Sequence, residues 1–457
     1  MILQADRQWA GKRAVVLGVA RQGVAVTRYL VNHGAHVVVS DLRRPEDLTS
    51  TLGELEGLGV PWVLGDHPFS LLDRADVLVL SGGVPVDAPI VVEATERGIA
   101  LSNDSQMFLD ACPAVTVGIT GSAGKTTTTA LVGEMARVAG EKVWVGGNIG
   151  RSMLPDLELI QPVDLVVTEL SSFQLEIMTR GTHVAAILNL TPNHLDRHKT
   201  MEVYTAAKAR LLQFQPTGGI AVLGQDGPGA WALAGQAKGR LRSFSQRQEV
   251  RDGAFLRDAR LIVRDAAGEQ IICTTDEVLL RGQHNLLNIL AAGTIADSVG
   301  IPVEAMAEVA RTFRGVEHRL EWVREQNGVN WYDDSIATAP ERLVAALEAF
   351  DEPILLLAGG RDKMLPWADA AACIHRRVRV AVLFGESAEL ISRHLGEPAG
   401  KLERIVHVDT LERAVHAAAT LAKPGEVILL SPGGTSFDAY ADFVERGDHF
   451  KDLVRSL

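Results

Sequence analysis

The chain has 457 residues, 47% hydrophobic and 22% charged, an ordinary globular composition without a low-complexity tract. At roughly 100 to 200 residues per domain, this length accommodates about three domains, each able to bury its own core. A formal net charge of −12 with no basic stripe excludes a general nucleic-acid binder, while a small anionic substrate at a locally positive site stays compatible.

Cys112, Cys273 and Cys373 lie far apart and in no CxxC pattern, which points to buried apolar thiols and away from a disulfide framework or a zinc site. The amino-terminal stretch lacks an apolar core of signal-peptide length, and no apolar run reaches roughly 18 residues. A soluble, cytoplasmic protein with no membrane insertion is therefore expected.

Two β-branched runs, Arg13 to Val19 and His36 to Asp41, flank a helix-length stretch, and Asp76 to Leu80 supplies a third. This alternation predicts a parallel sheet with crossover helices. The first turn, Gly18-Val-Ala-Arg-Gln-Gly23, and the acid Asp41 ending the second run are placed as in a dinucleotide fold. Ala20 stands where the middle glycine of GxGxxG belongs, so a site for a different nucleotide fits better than NAD. The polar turn Ser102-Asn-Asp-Ser105 and Cys112-Pro113 bracket the passage to the next domain.

Val115 to Thr129, VTVGITGSAGKTTTT, reads as strand, glycine-punctuated loop and helix start. Gly118-x-x-Gly121-x-x-Gly124-Lys125-Thr126 resembles a P-loop, with GxxGxxGKT spacing in place of the strict GxxxxGK[ST]. The chemistry asks for these residue types. Glycines let backbone N–H groups close around phosphate oxygens, the helix N-terminus adds partial positive charge, Lys125 reaches the outer phosphates and Thr126 holds Mg²⁺. An ordinary glycine-rich turn is the plainer alternative; Lys-Thr directly after the last glycine speaks against it.

Further on come Lys142 to Val145, the turn Gly146-Gly-Asn-Ile-Gly150, and the run Leu165 to Glu169. Glu169 falls where a parallel strand would end, the edge at which ligands of α/β sheets collect, so it suits either the P-loop magnesium or a strand-end salt bridge. The run Val184 to Leu190 leads into Thr191-Pro-Asn-His194-Leu-Asp-Arg-His198, where His194 alone reads equally as ligand or as hydrogen-bonding residue. Spacing alone makes Lys208, in Tyr204-Thr-Ala-Ala-Lys208, a solvated helix lysine. Residues 218 to 280 read as strands and turns, after which Gly282-Gln-His-Asn285-Leu-Leu-Asn288 opens an apolar helix; Asn288 could meet a base or phosphate, or bond locally.

A boundary follows near Phe313 to Val316. The last segment alternates again: Ile354 to Ala358 before Gly359-Gly-Arg-Asp-Lys363, Val378 to Phe384 before Gly385, and Val427 to Leu430 before Ser431-Pro-Gly-Gly. This predicts a second doubly wound unit with Lys363 and Ser436 at one carboxyl edge.

Taken together, GITGSAGKTTTT (118 to 129), GGNIG (146 to 150), ELSSFQLE (169 to 176), TPNHLDRH (191 to 198), YTAAKARL (204 to 211), GQHNLLN (282 to 288), HRLE (318 to 321), YDDSIATAP (332 to 340), GGRDK (359 to 363) and LLSPGGTSFDAYADFVERGDHF (429 to 450) resemble the Mur ligase family over nearly the full length. The family comprises ATP-dependent amide-forming enzymes of bacterial peptidoglycan synthesis. ELSSFQLE and the SPGGTSFDAYADFVERG block, without a DNPR motif, are similar to its D-glutamate-adding branch.

The resemblance implies an α/β protein of three domains. These are a Rossmann-like domain for the UDP sugar (1 to 103), a central P-loop ATPase-like mononucleotide-binding domain (104 to 315) and a Rossmann-like domain for the amino acid (316 to 457). It implies that D-glutamate is joined to UDP-N-acetylmuramoyl-L-alanine through an acyl phosphate, with ATP and one or two Mg²⁺, and with open and closed domain states. Residue by residue, it implies that Arg21, Gln22, Asp41, Leu42 and Arg43 hold the UDP moiety. Gly121, Ser122, Ala123, Gly124, Lys125, Thr126 and Thr127 cradle phosphate, and Asn288, Arg319 and Asp334 serve ATP. Asn148, Ser171 and His194 lie along the muramoyl-alanine path, while Thr338, Lys363, Ser436 and Phe443 receive D-glutamate. Thr126 and Glu169 match ligands of one magnesium, and His194 with a carbamylated Lys208 matches the second; Lys125, Glu169, His194, Lys208 and Arg319 would carry the catalysis.

Several positions depart from the family pattern: Ala123 for a usual Asn, Asn193 for Asp, Asp333, Ile336 and Ala339 for Asn, Lys and Asn, and Met364 for Gly. A P-loop works mainly through backbone N–H groups, so Ala123 should be tolerated. Other readings stay open at this stage: a P-loop kinase or GTPase, another Mur ligase or a folylpolyglutamate-type ligase, and a catalytically inactive ligase-like nucleotide-binding protein.

Overall fold

The computed structural model describes residues 8–148, 152–280 and 282–457. Ile149 and Gly150 of the GGNIG turn lie outside the described residues, as does the very start of the amino-terminal stretch. The chain forms two compact units: one comprises the residues up to Leu279 with Gln283–Thr312, the other Leu280–Gly282 with Phe313–Leu457. The first two sheets therefore share one unit.

The first sheet contains β1 (Arg13–Leu17), β2 (His36–Asp41), β3 (Trp62–Leu64), β4 (Val77–Leu80) and β5 (Ala100–Ser102), all parallel in the order β3-β2-β1-β4-β5. Its strands are nearly continuous apolar runs because crossover helices cover both faces. The strand order reverses between β1 and β4, which opens a crevice outside their carboxyl ends. The polar segment read as a turn at 102 to 105 is instead a helix start: Asn103 accepts the Gln106 N–H as the cap of a helix over Asp104–Ala111. Asn and Asp favour caps and turns alike, so sequence alone does not separate the two.

The second sheet contains β6 (Val115–Thr120), β7 (Val143–Gly147), β8 (Leu165–Glu169), β9 (Val184–Ile187), β10 (Ile220–Gly224), β11 (Arg240–Ser245), β12 (Gly253–Arg257), β13 (Arg260–Asp265) and β14 (Gly268–Thr274). The order is β14-β13-β12-β11-β10-β9-β6-β8-β7, parallel from β7 to β12, with β13 and β14 added as an antiparallel meander. The helix Lys125–Val138 buries Leu131, Val132, Met135 and Ala136. Beside it runs Gln283–Ser298, which also packs on β11 and β12 and is apolar over most of its circumference for that reason. β9 is shorter than its apolar run suggests: Leu188–Leu190 leave the ladder to embrace the glycine loop.

In the second unit, β15 (Glu321–Gln326) pairs antiparallel with β16 (Val329–Asp333), followed by β17 (Ile354–Gly359), β18 (Val378–Phe384), β19 (Arg404–His407) and β20 (Val427–Gly433) in the order β15-β16-β20-β17-β18-β19. Every residue of β17 and β20 is buried. One face packs on the helices Pro340–Leu347 and Ala368–Arg377, the other on Leu411–Leu421 and Phe443–Ser456. β20 runs through Ser431-Pro-Gly, past the Leu430 end expected from hydrophobicity.

Candidate active site

At the carboxyl end of β6, the chain passes Gly121 to Gly124 and enters the helix at Lys125. Gly124 has φ +82°, and a Cβ there would sit 2.3 Å from Asn288 Oδ1, so both the backbone and the neighbouring side chain require glycine. Asn288 also bonds locally, its Nδ2 donating to Asn285 Oδ1 at 2.9 Å. Lys125 curls back over the loop, Nζ donating to Gly121 O (3.0 Å) and Ser122 O (3.4 Å). Ser122 is tied down through its hydroxyl, which donates to Thr191 O (2.9 Å) and lies 3.0 Å from the Tyr204 hydroxyl.

Glu169 ends β8 next to the loop because β8 pairs directly with β6. It is 2% exposed. One oxygen accepts the Thr126 hydroxyl (2.8 Å) and the other the Asn148 amide (2.8 Å), joining three residues that lie far apart in sequence. A buried carboxylate beside a hydroxyl is a set of hard oxygen donors, the chemistry that Mg²⁺ prefers. His194 sits at φ +54° with its ring 5.1 Å from that of Phe173. Ser171 forms a capping box with Gln174.

Lys208 overturns the solvated reading that spacing gave it. It is 1% exposed, and its Nζ donates to Thr120 Oγ1 at 2.9 Å and lies 5.0 Å from the Tyr204 ring centre. Burial holds its amine well below the usual lysine range; the Lys125 ammonium adds to this and the Glu169 carboxylate opposes it. Of the small residues preceding it, Ala207 is buried and Ala206 is exposed, so only one serves close packing.

In the first sheet, the Asp41 carboxylate organises the crevice edge: Oδ2 accepts the Val19 N–H (2.9 Å), Oδ1 the Arg43 N–H (2.9 Å), and the Arg43 guanidinium grips both oxygens. Burial would raise its pKa, but these bonds bring it down to about 2. Gln22 Oε1 accepts the Gly82 N–H across the turn at 3.1 Å, and Arg21 and Leu42 are exposed nearby in sequence.

In the second unit, Lys363 Nζ donates to Thr338 Oγ1 at 3.0 Å, uniting two of the expected amino-acid-site residues. Burial, helped by Arg342, lowers the Lys363 pKa against the pull of Glu341. Arg361 and Thr435 exchange backbone hydrogen bonds of 2.8 Å, which lays the GGRDK loop beside the loop of Ser436, itself 2% exposed. Asp334 is buried, accepting Ser431 Oγ (2.9 Å) and the Leu320 N–H (3.2 Å); burial raises its carboxyl to about 7 although the Arg319 charge pulls it down. Phe443 starts the last helix, and its ring meets His318 edge-on at 6.1 Å. His318 Nδ1 and Asp333 Oδ2 are 2.7 Å apart, and Lys451 lies on Glu321 at 3.3 Å, so this carboxylate-rich cluster is closed by its own polar bonds.

Two residues escape sequence reasoning. Arg446, fully buried, donates to Ser335 Oγ and O and to Gly434 O, and thereby shapes the loop before Ser436; burial lowers its pKa to about 10. Asn189 grips the glycine loop through Ala123. Asn189 lies outside every motif, and Arg446, though inside the SPGGTSFDAYADFVERG block, carries no local sign of its buried role.

A glycine loop at a helix N-terminus, with a buried acid at the adjoining strand end and a lysine above it, defines a P-loop nucleotide enzyme on a doubly wound sheet. Three family descriptions match in order: "Mur ligase MurD-like, N-terminal domain" over residues 12–103, "Mur ligase middle domain" over 119–296, and "Mur ligase, glutamate ligase domain" over 318–434. UDP-N-acetylmuramoylalanine–D-glutamate ligase of Symbiobacterium thermophilum is 42% identical over 450 residues, 98% of each chain. The protein of the same name from Pelotomaculum thermopropionicum is 38% identical over 99% of each. In fold, the chain is similar to UDP-N-acetylmuramate-alanine ligase of Thermotoga maritima, with a TM-score of 0.56 at 19% identity, covering 97% of this chain and 99% of that one. The chain belongs to the Mur ligase family.

Proposed function

We infer that the protein joins D-glutamate to UDP-N-acetylmuramoyl-L-alanine, consuming ATP, in peptidoglycan synthesis. The observation that carries this reading is the Thr126–Glu169–Asn148 chain at the foot of the glycine loop, in which Thr126 and Glu169 are buried, with Lys208 buried beside it. The reading brings with it the domain limits 1 to 103, 104 to 315 and 316 to 457. It also brings a cytoplasmic location, where ATP is available; among the described residues, no helix is long and apolar enough to cross a membrane.

Forming an amide from a carboxylate and an amine in water is uphill, so the carboxylate is first activated. An oxygen of the alanyl carboxylate attacks the γ-phosphorus of ATP, the bond to the β-γ bridging oxygen breaks, and ADP leaves an acyl phosphate. The D-glutamate amine then attacks the acyl carbon, phosphate departs, and the amine proton is lost to give the amide.

Loop N–H groups and the helix N-terminus of 121 to 127 bind the ATP phosphates, and Lys125 transfers its ammonium from the loop carbonyls to them. Thr126 and Glu169 would hold a first Mg²⁺, and His194 with Lys208 a second. When bound, the metal neutralises charge on the phosphates and the approaching carboxylate. The lowered pKa of Lys208 favours a neutral amine, which can add CO₂ at Nζ with release of a proton, turning an ammonium into an oxygen ligand.

Asn148, Ser171 and His194 orient the muramoyl-alanine end, while Arg21, Gln22, Leu42 and the Asp41–Arg43 pair hold the UDP end. Asn288 and Asp334 serve ATP. Arg319 stabilises charge on the transferred phosphoryl group, since a guanidinium stays protonated and binds two oxygens at once. The Lys363–Thr338 pair, Ser436 and Phe443 receive D-glutamate. Phosphate release from ATP and UDP-N-acetylmuramoyl-L-alanine should require D-glutamate when a panel of amino acids is offered. Release with a different amino acid moves the chain to another branch, and release with none refutes catalysis.

A further inference from the structure

The glycine loop is short of internal restraints. Gly121 and Gly124 carry no side chain, and Ala123 has no polar group of its own. Yet a phosphate-binding loop must present N–H groups and withhold carbonyl oxygens from an anion. Beside the bonds of the Ser122 hydroxyl and of Lys125, the restraint at Ala123 comes from Asn189, two residues beyond the end of β9. Its Oδ1 accepts the Ala123 N–H at 2.9 Å, its Nδ2 donates to Ala123 O at 3.0 Å, and its own carbonyl accepts the Ser122 N–H at 3.0 Å. One side-chain amide thus holds the two peptide planes flanking Ala123.

We propose that Asn189 is a positioning residue for ATP, fixing the phosphate loop in its anion-receiving form through Ala123. A trans peptide carries its N–H and C=O on opposite sides, and no described peptide is cis. With the Ala123 carbonyl turned toward Asn189, the Gly124 N–H points away from it, into the face that must meet phosphate. With the Ala123 N–H turned toward Asn189, the Ser122 carbonyl also points away and is covered by Lys125 Nζ at 3.4 Å. A longer contact from Asn193 Nδ2, at 3.5 Å, reaches the same carbonyl. Without Asn189 the plane between Ala123 and Gly124 loses its restraint, and its rotation would aim the Ala123 carbonyl at the phosphates in place of the Gly124 N–H. Lys125, Thr126 and Glu169 do not touch Asn189 through these bonds, so the effect belongs to nucleotide binding and not to the metal ligands.

The proposal rests on the ATP reading, and the test separates the two. Full-length Asn189→Leu, close in size and without polar groups, is compared with wild type by steady-state phosphate release, calorimetric titration with ADP, and thermal unfolding without nucleotide. The expected result is a rise of about tenfold in the KM for ATP and in the Kd for ADP, about 1.4 kcal/mol. The KM for the UDP substrate and the melting temperature should stay near wild type. Asn189→Asp keeps the acceptor for the Ala123 N–H but loses the donor, and serves if the leucine variant does not fold; it too should weaken ADP while leaving the UDP-substrate KM unchanged. An unchanged KM for ATP, or a loss spread equally over both substrates together with a lowered melting temperature, overturns the proposal. Wild-type protein that binds no ADP overturns the ATP reading beneath it.

Discussion

Gly124→Ala tests the glycine loop most directly, because two separable costs are present there. At φ +82° an alanine pays about 1 to 2 kcal/mol for its backbone conformation. Its Cβ would also stand 2.3 Å from Asn288 Oδ1, so Asn288 must retreat by roughly 1 Å and risk its bond to Asn285, about 1 kcal/mol more. The sum, about 2 to 3 kcal/mol, should lower the melting temperature by several degrees. A displacement of that size at a phosphate-binding loop should cost about 10²-fold in kcat/KM for ATP.

Gly140→Ala supplies the control. It lies just past the far end of the same helix, has φ +84° and has nothing within 4 Å of its added Cβ, so it pays only the backbone term and should keep full activity. Phosphate-release kinetics and thermal unfolding of both variants measure the difference. Equal stability losses with wild-type kcat/KM for ATP in Gly124→Ala would refute the claim that the loop's shape at Gly124 serves phosphate.

Lys363→Ala and Ser436→Ala should each raise the KM for D-glutamate by about tenfold, the worth of a charge-assisted or partly buried hydrogen bond, and leave the UDP-substrate KM unchanged; an unchanged glutamate KM would remove these residues from the amino-acid site. A ¹³C spectrum with labelled CO₂ should show a carbamate signal that is absent in Lys208→Ala, whose activity should be lost; a fully active variant would return Lys208 to a structural role. The pH dependence of Asp334 has a definite sign. With its pKa raised from 3.8 to about 7, the native state binds more protons than the unfolded chain in that window, so its contribution to stability falls as pH rises from 4 to 7, by up to about 1.4 kcal/mol per pH unit. Asp334→Asn should remove that fall in urea unfolding measured across the window, and identical pH profiles would contradict the buried protonated carboxyl.

Where polar chemistry and strand ends coincide in sequence, the site was legible. Glu169 closes an apolar run, and a parallel strand that ends in an acid beside a glycine loop can place it in few other ways. Lys363 and Ser436 likewise follow apolar runs, and their loops do lie together, though the backbone exchange between Arg361 and Thr435 that joins them has no local signature. Lys208 shows the opposite case. On a helix of mixed composition, nothing in spacing distinguishes an ammonium in water from one at 1% exposure, because burial depends on what β6 and the glycine loop place above that helix.

By itself, then, the sequence determined the alternation of strands and helices and the glycine loop, since both rest on periodicity and on backbone freedom within a few residues. Only the tertiary structure decided that the 102 to 105 segment caps a helix, that β20 extends through Pro432 to Gly433, and that Asn189 holds Ala123 and Arg446 holds Ser335, each remote from it in sequence. For Asn189 and Arg446 the physical reason is the same. A polar side chain's partner is chosen by which strands become neighbours, and strand order is a property of the packed sheets that no local pattern encodes.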